Sequence, residues 1–323
     1  MRKRDKHIWV ILGLIPALAV LPHTGLVNPY LELVLMYIGI NIILTVGLNL
    51  VNGYMGEFSV GHAAFMAIGA YASSILTVKV IPAAWGATLF PLVVLAGGAA
   101  AALAGVVIAV PSFKTRGDYL AIVTLAFNMI IRSALENMEV IGGPRGFMGM
   151  AKLTNPAWVY VWTLIAVFGV RNFVYTNYGR GVLSIREDEV ASALVSVDTR
   201  KCKVLAFVLS SFFAGVAGAL FAHLLQFINP RSFTILKSTE VLVMVYLGGV
   251  GSIWGSILGA AIFTVLLELL RPLMVWRWVV GPLMLVALML FRPTGIMGLR
   301  EHRWFLPGDE DMSTVEVKAD VAA

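Results

Sequence analysis

The side chains best placed to do chemistry are polar groups set singly in apolar sequence. His62 follows Gly61 within GYMGEFSVGHAAFMAIGA, residues 53–70. An ionisable group in such a setting can gate, shuttle a proton or hold an interrupted helix by a hydrogen bond. It has no acidic partner close by in sequence, which favours the holding role. Asn41 and Asn49 are eight apart and share one helix face. There they either line a pathway or bond a neighbouring helix, the latter being the default. Asn128 and Gln226 are further amides in apolar runs, and Glu57 reads as a solvated or helix-start carboxylate. Glu268 and Arg271 are three apart and spaced to pair, while Arg132 can snorkel from the end of its helix.

Other chemistries are excluded by what the sequence lacks. It has no GxxxxGK[ST] phosphate loop, so the chain should not hydrolyse ATP by itself. It has no HExxH, His/Cys cluster or GxSxG, and no paired intramembrane carboxylates for a proton relay. The single Cys202 excludes a disulfide within the chain and a Cys-rich metal site. We therefore expect no catalytic residues, no cofactor and no metal. The chain reads as a conduit whose energy comes from an ion gradient or from a partner.

The elements that hold these groups are membrane helices. Of 323 residues, 59% are apolar and 13% charged, against roughly 25% charged in an ordinary soluble domain. The expected fold is an all-α polytopic membrane bundle of about ten transmembrane helices, some interrupted by glycine. The spans read as 8–22, 31–51, 60–78, 89–110, 119–135, 157–175, 204–225, 239–253, 256–270 and 277–291. The basic MRKRDK start and the apolar run to Leu21 also have the shape of a signal peptide. Its one Ala-x-Ala lies inside the apolar run, so an uncleaved first helix is expected.

Ten crossings put both termini on one side. With the termini in the cytoplasm, inner segments hold fifteen Lys/Arg and outer segments seven, the bias expected of a cell membrane protein with both ends inside. The same bias explains the net charge of +6 without a nucleic acid partner. Trp158, Trp162, Trp276 and Trp278 fall near span ends, where aromatic rings favour the headgroup zone. Residues 1–300 thus form the membrane domain, with an inner loop at about 176–203, and residues 301–323 form a polar, solvated tail.

Two Gly-rich interruptions, 53–70 and 248–263, lie in opposite halves of the chain. Paired interruptions of this kind point to a transporter's substrate region. Broken helices expose backbone groups that must line protein or a wet cavity; alternatively, the glycines let helices pack closely. The expected pathway residues are Asn49, Asn52, Gly53, Gly61, His62, Asn128, Gly248 and Gly251.

The inner loop reads YGRGVLSIREDEVASALVSVDTRKCKVLAF from Tyr178 to Phe207. Ile185, Val190, Ala193, Leu194 and Val197 approximate one apolar stripe of a short amphipathic helix, with Arg186, Glu187 and Asp188 facing elsewhere. Asp198 and Thr199 can break and recap the chain. The Glu187-Asp188-Glu189 cluster disfavours anionic lipid, so a soluble protein partner fits this ledge better than the bilayer surface.

At this point the sequence resembles the permease subunits of branched-chain amino acid ABC transporters, the second of their two permeases in particular. The resemblance spans about residues 35–300. It is carried by LNLVNGYMGEFSVGHAAFMAIGAY (48–71), RGDYLAIVTLAF (116–127), GGPRGF (142–147), GRGVLSIREDEVASAL (179–194), LAFVLSSFFAGVAGALFA (205–222), EVLVMVYLGGVGSIWGSILGAA (240–261) and LFRPTGIMG (290–298). It implies a partner permease, two cytoplasmic ATPases and a periplasmic binding protein. It also implies an ATPase-coupling element holding Arg186, Glu187, Asp188 and Glu189, to which we add Thr199 and Arg200 at the end of the same loop. Relatives often carry Gly where this chain has Ser196. Urea, short amides and ion-coupled transport are the alternatives to ATP-driven uptake of hydrophobic amino acids.

Overall fold

A computed structural model describes residues 28–82, 85–113, 119–272, 277–291 and 294–298. The expected first span and the polar tail lie outside the described residues. The first helix, α1, spans Pro29–Asn49: Asn28 accepts a hydrogen bond from Tyr30 N, and proline occupies its first turn. A π-helical turn, Leu50–Tyr54, extends it. Every residue from Ile40 to Met55 is buried, as expected of a helix that is apolar on all sides.

After a non-helical stretch the chain continues through α2 (His62–Ile75), α3 (Gly86–Ser112), α4 (Tyr119–Asn137) and α5 (Pro156–Val174). Two shorter helices follow, α6 (Asn177–Glu187) and α7 (Glu189–Leu194). Then come α8 (Thr199–Leu225), α9 (Ile235–Gly248), α10 (Ile253–Leu269) and α11 (Arg277–Phe291). A two-residue strand, β1 (Phe147–Met148), pairs antiparallel with β2 (Phe227–Ile228) and clasps two loops at one end of the bundle.

Six segments among the described residues are long and apolar enough to cross a bilayer: Pro29–Tyr54, His62–Val80, Gly86–Ser112, Tyr119–Asn137, Pro156–Val174 and Thr199–Leu225. This supports an all-α polytopic bundle; six of the about ten expected spans meet that length among the described residues. The expected eighth and ninth spans are the shorter helices α9 and α10, and α9 begins four residues earlier than the expected start at 239.

The centre of the bundle is α8, which packs on α2 and α3. Small residues make the approach possible. A Cβ on Gly218 would lie 1.9 Å from the Met66 carbonyl oxygen, and one on Gly215 would lie 2.5 Å from the Ala101 Cβ. In lipid, where apolar contact alone does not drive association, such close backbone packing holds helices together. Trp162 belongs to this interior, not to a headgroup belt: it is 4% exposed.

Candidate functional site

The polar groups singled out by sequence gather at three places. The first is a junction between α1 and the turn joining α9 to α10. Asn49 Nδ2 donates to the Ser252 carbonyl (2.8 Å) and to Ser256 Oγ (2.7 Å), and Asn49 Oδ1 accepts from Gly251 N (2.9 Å). One buried amide therefore satisfies the open backbone of the second interruption. Gly251 takes φ +80°, a conformation that suits glycine. Gly53 faces the same spot, where a Cβ would lie 1.9 Å from Asn49 Oδ1. Gly248 packs directly on Gly255. Residues 294–298 close the junction, with Ile296 N donating to Leu247 O and Met297 N to Gly248 O.

Eight residues earlier on α1, Asn41 Nδ2 donates to Thr264 Oγ1 at 2.9 Å, eight residues beyond Ser256 on α10. The shared face of Asn41 and Asn49 is thus a polar seam against α10. Between the two levels, Thr45 lies against Met244 of α9.

The second place is the interruption between α1 and α2. It lines protein, and its N–H groups are taken by side chains of α4, of α9 and of the π-helical turn before it. Val60 N donates to Thr124 Oγ1 (3.2 Å), Ala63 N to Ser238 Oγ (3.0 Å) and Ser59 N to Asn52 Oδ1 (3.4 Å). Asn128 Nδ2 also reaches Ser238 Oγ, at 3.4 Å. Gly61 lies against the Thr124 backbone. His62, the first residue of α2, is 2% exposed, and its Nε2 has no hydrogen-bond partner among the described residues. The hydroxyls that complete these two places, Thr124, Ser238, Ser256 and Thr264, carried no sequence signal. Serine and threonine within helices are ordinarily satisfied by their own preceding turn.

The third place is a ledge formed by α6 and α7, where sequence placed the inner loop. A single amphipathic helix with one apolar stripe does not form here. Asp188 ends α6 and caps α7, its Oδ1 accepting from Val190 N (2.8 Å) and Ala191 N (3.0 Å). Ile185 consequently turns inward at 5% exposure, while Val190, Leu194 and Val195 stand out at 66%, 82% and 73%. Glu187 and Asp188 are exposed and Arg186 is half-buried beside Gly56. Asp198 caps α8 through Lys201 N, placing Thr199 as its first residue, and Arg200 donates to the Val110 carbonyl of α3. Lys201 beside it holds the Asp198 carboxyl below the usual carboxylate range.

Glu57 is not merely solvated. Lys203 Nζ lies 2.7 Å from Glu57 Oε1 and 2.8 Å from Glu189 Oε2. The lysine, which sequence reading had not singled out, joins the chain after α1 to α7.

Three further sequence expectations concern ends of elements. Gln226 closes α8 in a left-handed conformation at φ +60°. Arg132 pairs with Glu136 at 3.0 Å, and Glu268 with Arg271 at 3.1 Å. No group of three or more His, Cys, Asp or Glu able to hold a metal occurs among the described residues.

Comparison with known proteins gives this arrangement a family. Residues 30–291 match the family described as the branched-chain amino acid transport system / permease component. The high-affinity branched-chain amino acid transport system permease protein LivM of Escherichia coli (strain K12) is 34% identical over 80% of this chain and 68% of that protein. LivH of the same organism is 26% identical over 57% and 60%. A probable LivM of Methanocaldococcus jannaschii is 23% identical over 83% and 93%. No solved structure matches the chain. With its interrupted helices, polar seam and charged ledge, the chain belongs to the family of branched-chain amino acid transport system permease components.

Proposed function

We propose that this chain is the LivM-like permease subunit of an ATP-driven importer for branched-chain, hydrophobic amino acids. It pairs with a second, LivH-like permease, stands on two cytoplasmic ATPases and receives substrate from a periplasmic binding protein. It sits in the inner membrane with both termini cytoplasmic. LivM and LivH relatives, both named as permeases of branched-chain amino acid transport, support the paired arrangement.

The observation that carries the reading is the ledge. A helix with exposed Val190 and Leu194 is joined through Glu189 and Lys203 to Glu57, in the interruption that follows α1. ATP binds the two ATPase arrangements with different affinity and so biases two packings of the permease. In this reading Arg186, Glu187, Asp188, Glu189, Thr199 and Arg200 form the coupling element. The surrounding Asn49, Asn52, Gly53, Gly61, His62, Asn128, Gly248 and Gly251 form the part of the pathway wall that repacks.

The test is reconstitution of both permeases with both ATPases and the binding protein, followed by uptake of radiolabelled L-leucine. ATP-dependent accumulation is expected. Accumulation driven by an ion gradient in vesicles holding the permease without the ATPases would overturn the reading in favour of an ion-coupled carrier. A cysteine at Val190 should label from the ATPase side; labelling from the binding-protein side alone would overturn the topology.

A further inference from the structure

Lys237 and Glu240 lie inside α9, one turn apart, with Nζ 2.9 Å from Oε2. The pair is 21% and 14% exposed. Its depth follows from the neighbours of α9. Met244 lies against Thr45, and the turn after Gly248 lies against Asn49, so α9 runs alongside α1 in the same direction. Lys237 and Glu240 are then level with about residues 38–41 of α1, roughly 15 Å in from its start at 1.5 Å per residue. Opposite charges at that depth are costly unless paired or wetted, and they mark solute pathways in membrane proteins.

Space lies on both sides of the pair. A cavity of about 340 Å³ opens between α1, α9 and α10 at the end of the bundle away from α7, and a second of about 510 Å³ lies toward Arg231 and Met66. Lys237 and Glu240 line both, so the pair stands in the partition between them. The first cavity is of the size that takes small organic ligands. It carries a second pair of opposite charges, Arg271 with Glu268, and an apolar wall that includes Val34 and Leu267.

This charge pattern selects one chemical class. A zwitterion brings one ammonium and one carboxylate, so it can insert into an ion pair and leave neither protein charge alone. An amine or a carboxylate by itself would strand one partner in a poorly hydrated place. We propose that Lys237 and Glu240 form a transfer site for a zwitterionic amino acid with an apolar side chain. Glu240 takes its ammonium, Lys237 takes its carboxylate, and the wall near Val34 and Leu267 takes its side chain. This deepens, and rests on, the amino acid permease reading above.

The assembled transporter in proteoliposomes, with radiolabelled L-leucine and the binding protein, provides the test. Lys237→Met combined with Glu240→Met removes both charges without stranding either. Leucine uptake should fall about tenfold or more, the loss expected from two charge-assisted hydrogen bonds, with assembly and ATP hydrolysis retained. The exchange Lys237→Glu with Glu240→Lys keeps a pair in reversed order and should also lose uptake, which a merely structural pair would not.

A second measurement keeps the native charges. Leu267→Cys should react with a small charged thiol reagent, and leucine should slow that reaction during turnover. Isoamylamine and 4-methylpentanoate, each carrying one of the two charged groups, should not. Native uptake by the Met/Met variant, or labelling of Leu267→Cys that leucine leaves unchanged, overturns the transfer site. Failure of the unaltered complex to take up leucine overturns the permease reading beneath it.

Discussion

Glu57 and Glu189 close on one ammonium from two different elements. Lys203 Nζ stands 2.7 Å from the first and 2.8 Å from the second, and the lysine side chain is 8% exposed. Glu57 follows the π-helical end of α1, and Glu189 opens the short helix α7 on the ledge. Gly56, next to Glu57, also touches the Arg186 side chain at the end of α6. The ledge and the interruption are therefore tied through one ammonium held almost out of water, where screening by salt is weak, although the Glu189 carboxylate is half-exposed.

Lys203→Met should separate these two elements. It leaves two carboxylates facing each other; removing one partner of a fully buried pair costs about 3–5 kcal/mol, and the partial exposure of Glu57 and Glu189 brings the loss to about 2 kcal/mol. Glu189→Gln should cost less, about 1 kcal/mol, because Glu189 is half-exposed. In the reconstituted complex, Lys203→Met should lower leucine uptake far more than Glu189→Gln while ATP hydrolysis continues. Thermal unfolding measures the stability difference, and equal uptake in the two variants would remove Lys203 from the coupling route.

Asn49 and Asn41 share a face but should differ in weight. Asn49→Leu strips the partner from the buried Gly251 N, at about 1–3 kcal/mol for a group left unsatisfied, while the Ser252 carbonyl keeps Ser256 N and Oγ. Asn41→Leu removes one bond to Thr264, whose hydroxyl still donates to the Ala260 carbonyl. Interhelical bonds of that kind are worth about 0.6 kcal/mol on average. Melting of the detergent-solubilised complex should therefore fall clearly with Asn49→Leu and hardly with Asn41→Leu. A double-mutant cycle of Asn49 with Ser256 should show coupling.

What the sequence disclosed followed from periodicity and composition. Apolar length revealed the long helices, glycine runs revealed both interruptions, and the spacing of Asn41 and Asn49 revealed the seam. The partners of those groups were hidden because they are single hydroxyls on other helices: Ser238 serves Ala63 across 175 positions of chain. Lys203 was obscured by the basic run TRKCK, which reads as ordinary inner-loop charge. Lys237 was assigned to an outer loop because hydropathy rises only at residue 239, whereas α9 begins at Ile235 and carries it inside. The amphipathic reading of residues 185–197 failed at Asp188, whose carboxylate caps a new helix more favourably than it sits mid-helix.

The ledge makes a graded prediction about ATPase docking. Leu194 is 82% exposed, and burying such a side chain against a partner is worth about 1.5–3 kcal/mol. Leu194→Glu should therefore abolish co-purification of the ATPases with the permease still inserted. Asp188→Lys should also weaken docking by removing the cap of α7, whereas Asp188→Asn, which keeps a capping oxygen, should not. Glu187→Lys tests charge alone, since Glu187 makes no cap. Retention of the ATPases by Leu194→Glu would place docking elsewhere.

Ser196 offers the sharpest local test because it departs from what its backbone prefers. It follows α7 at φ +66°, where Val197 N reaches the Ser192 carbonyl and Ser196 N the Ala193 carbonyl, a left-handed helix ending. A side chain in that conformation costs about 1–2 kcal/mol, and the extra freedom of glycine in the unfolded chain returns part of the difference. Ser196→Gly should therefore stabilise the ledge by about 0.5–1 kcal/mol, raising the melting temperature of the complex by about 2 °C with uptake unchanged. Ser196→Val, β-branched at a left-handed position, should lower it. The two substitutions change neither a charge nor a docking residue, so their opposite signs report on the turn alone. A fall in melting temperature with glycine would mean that the Ser196 hydroxyl, not the backbone, sets the end of α7.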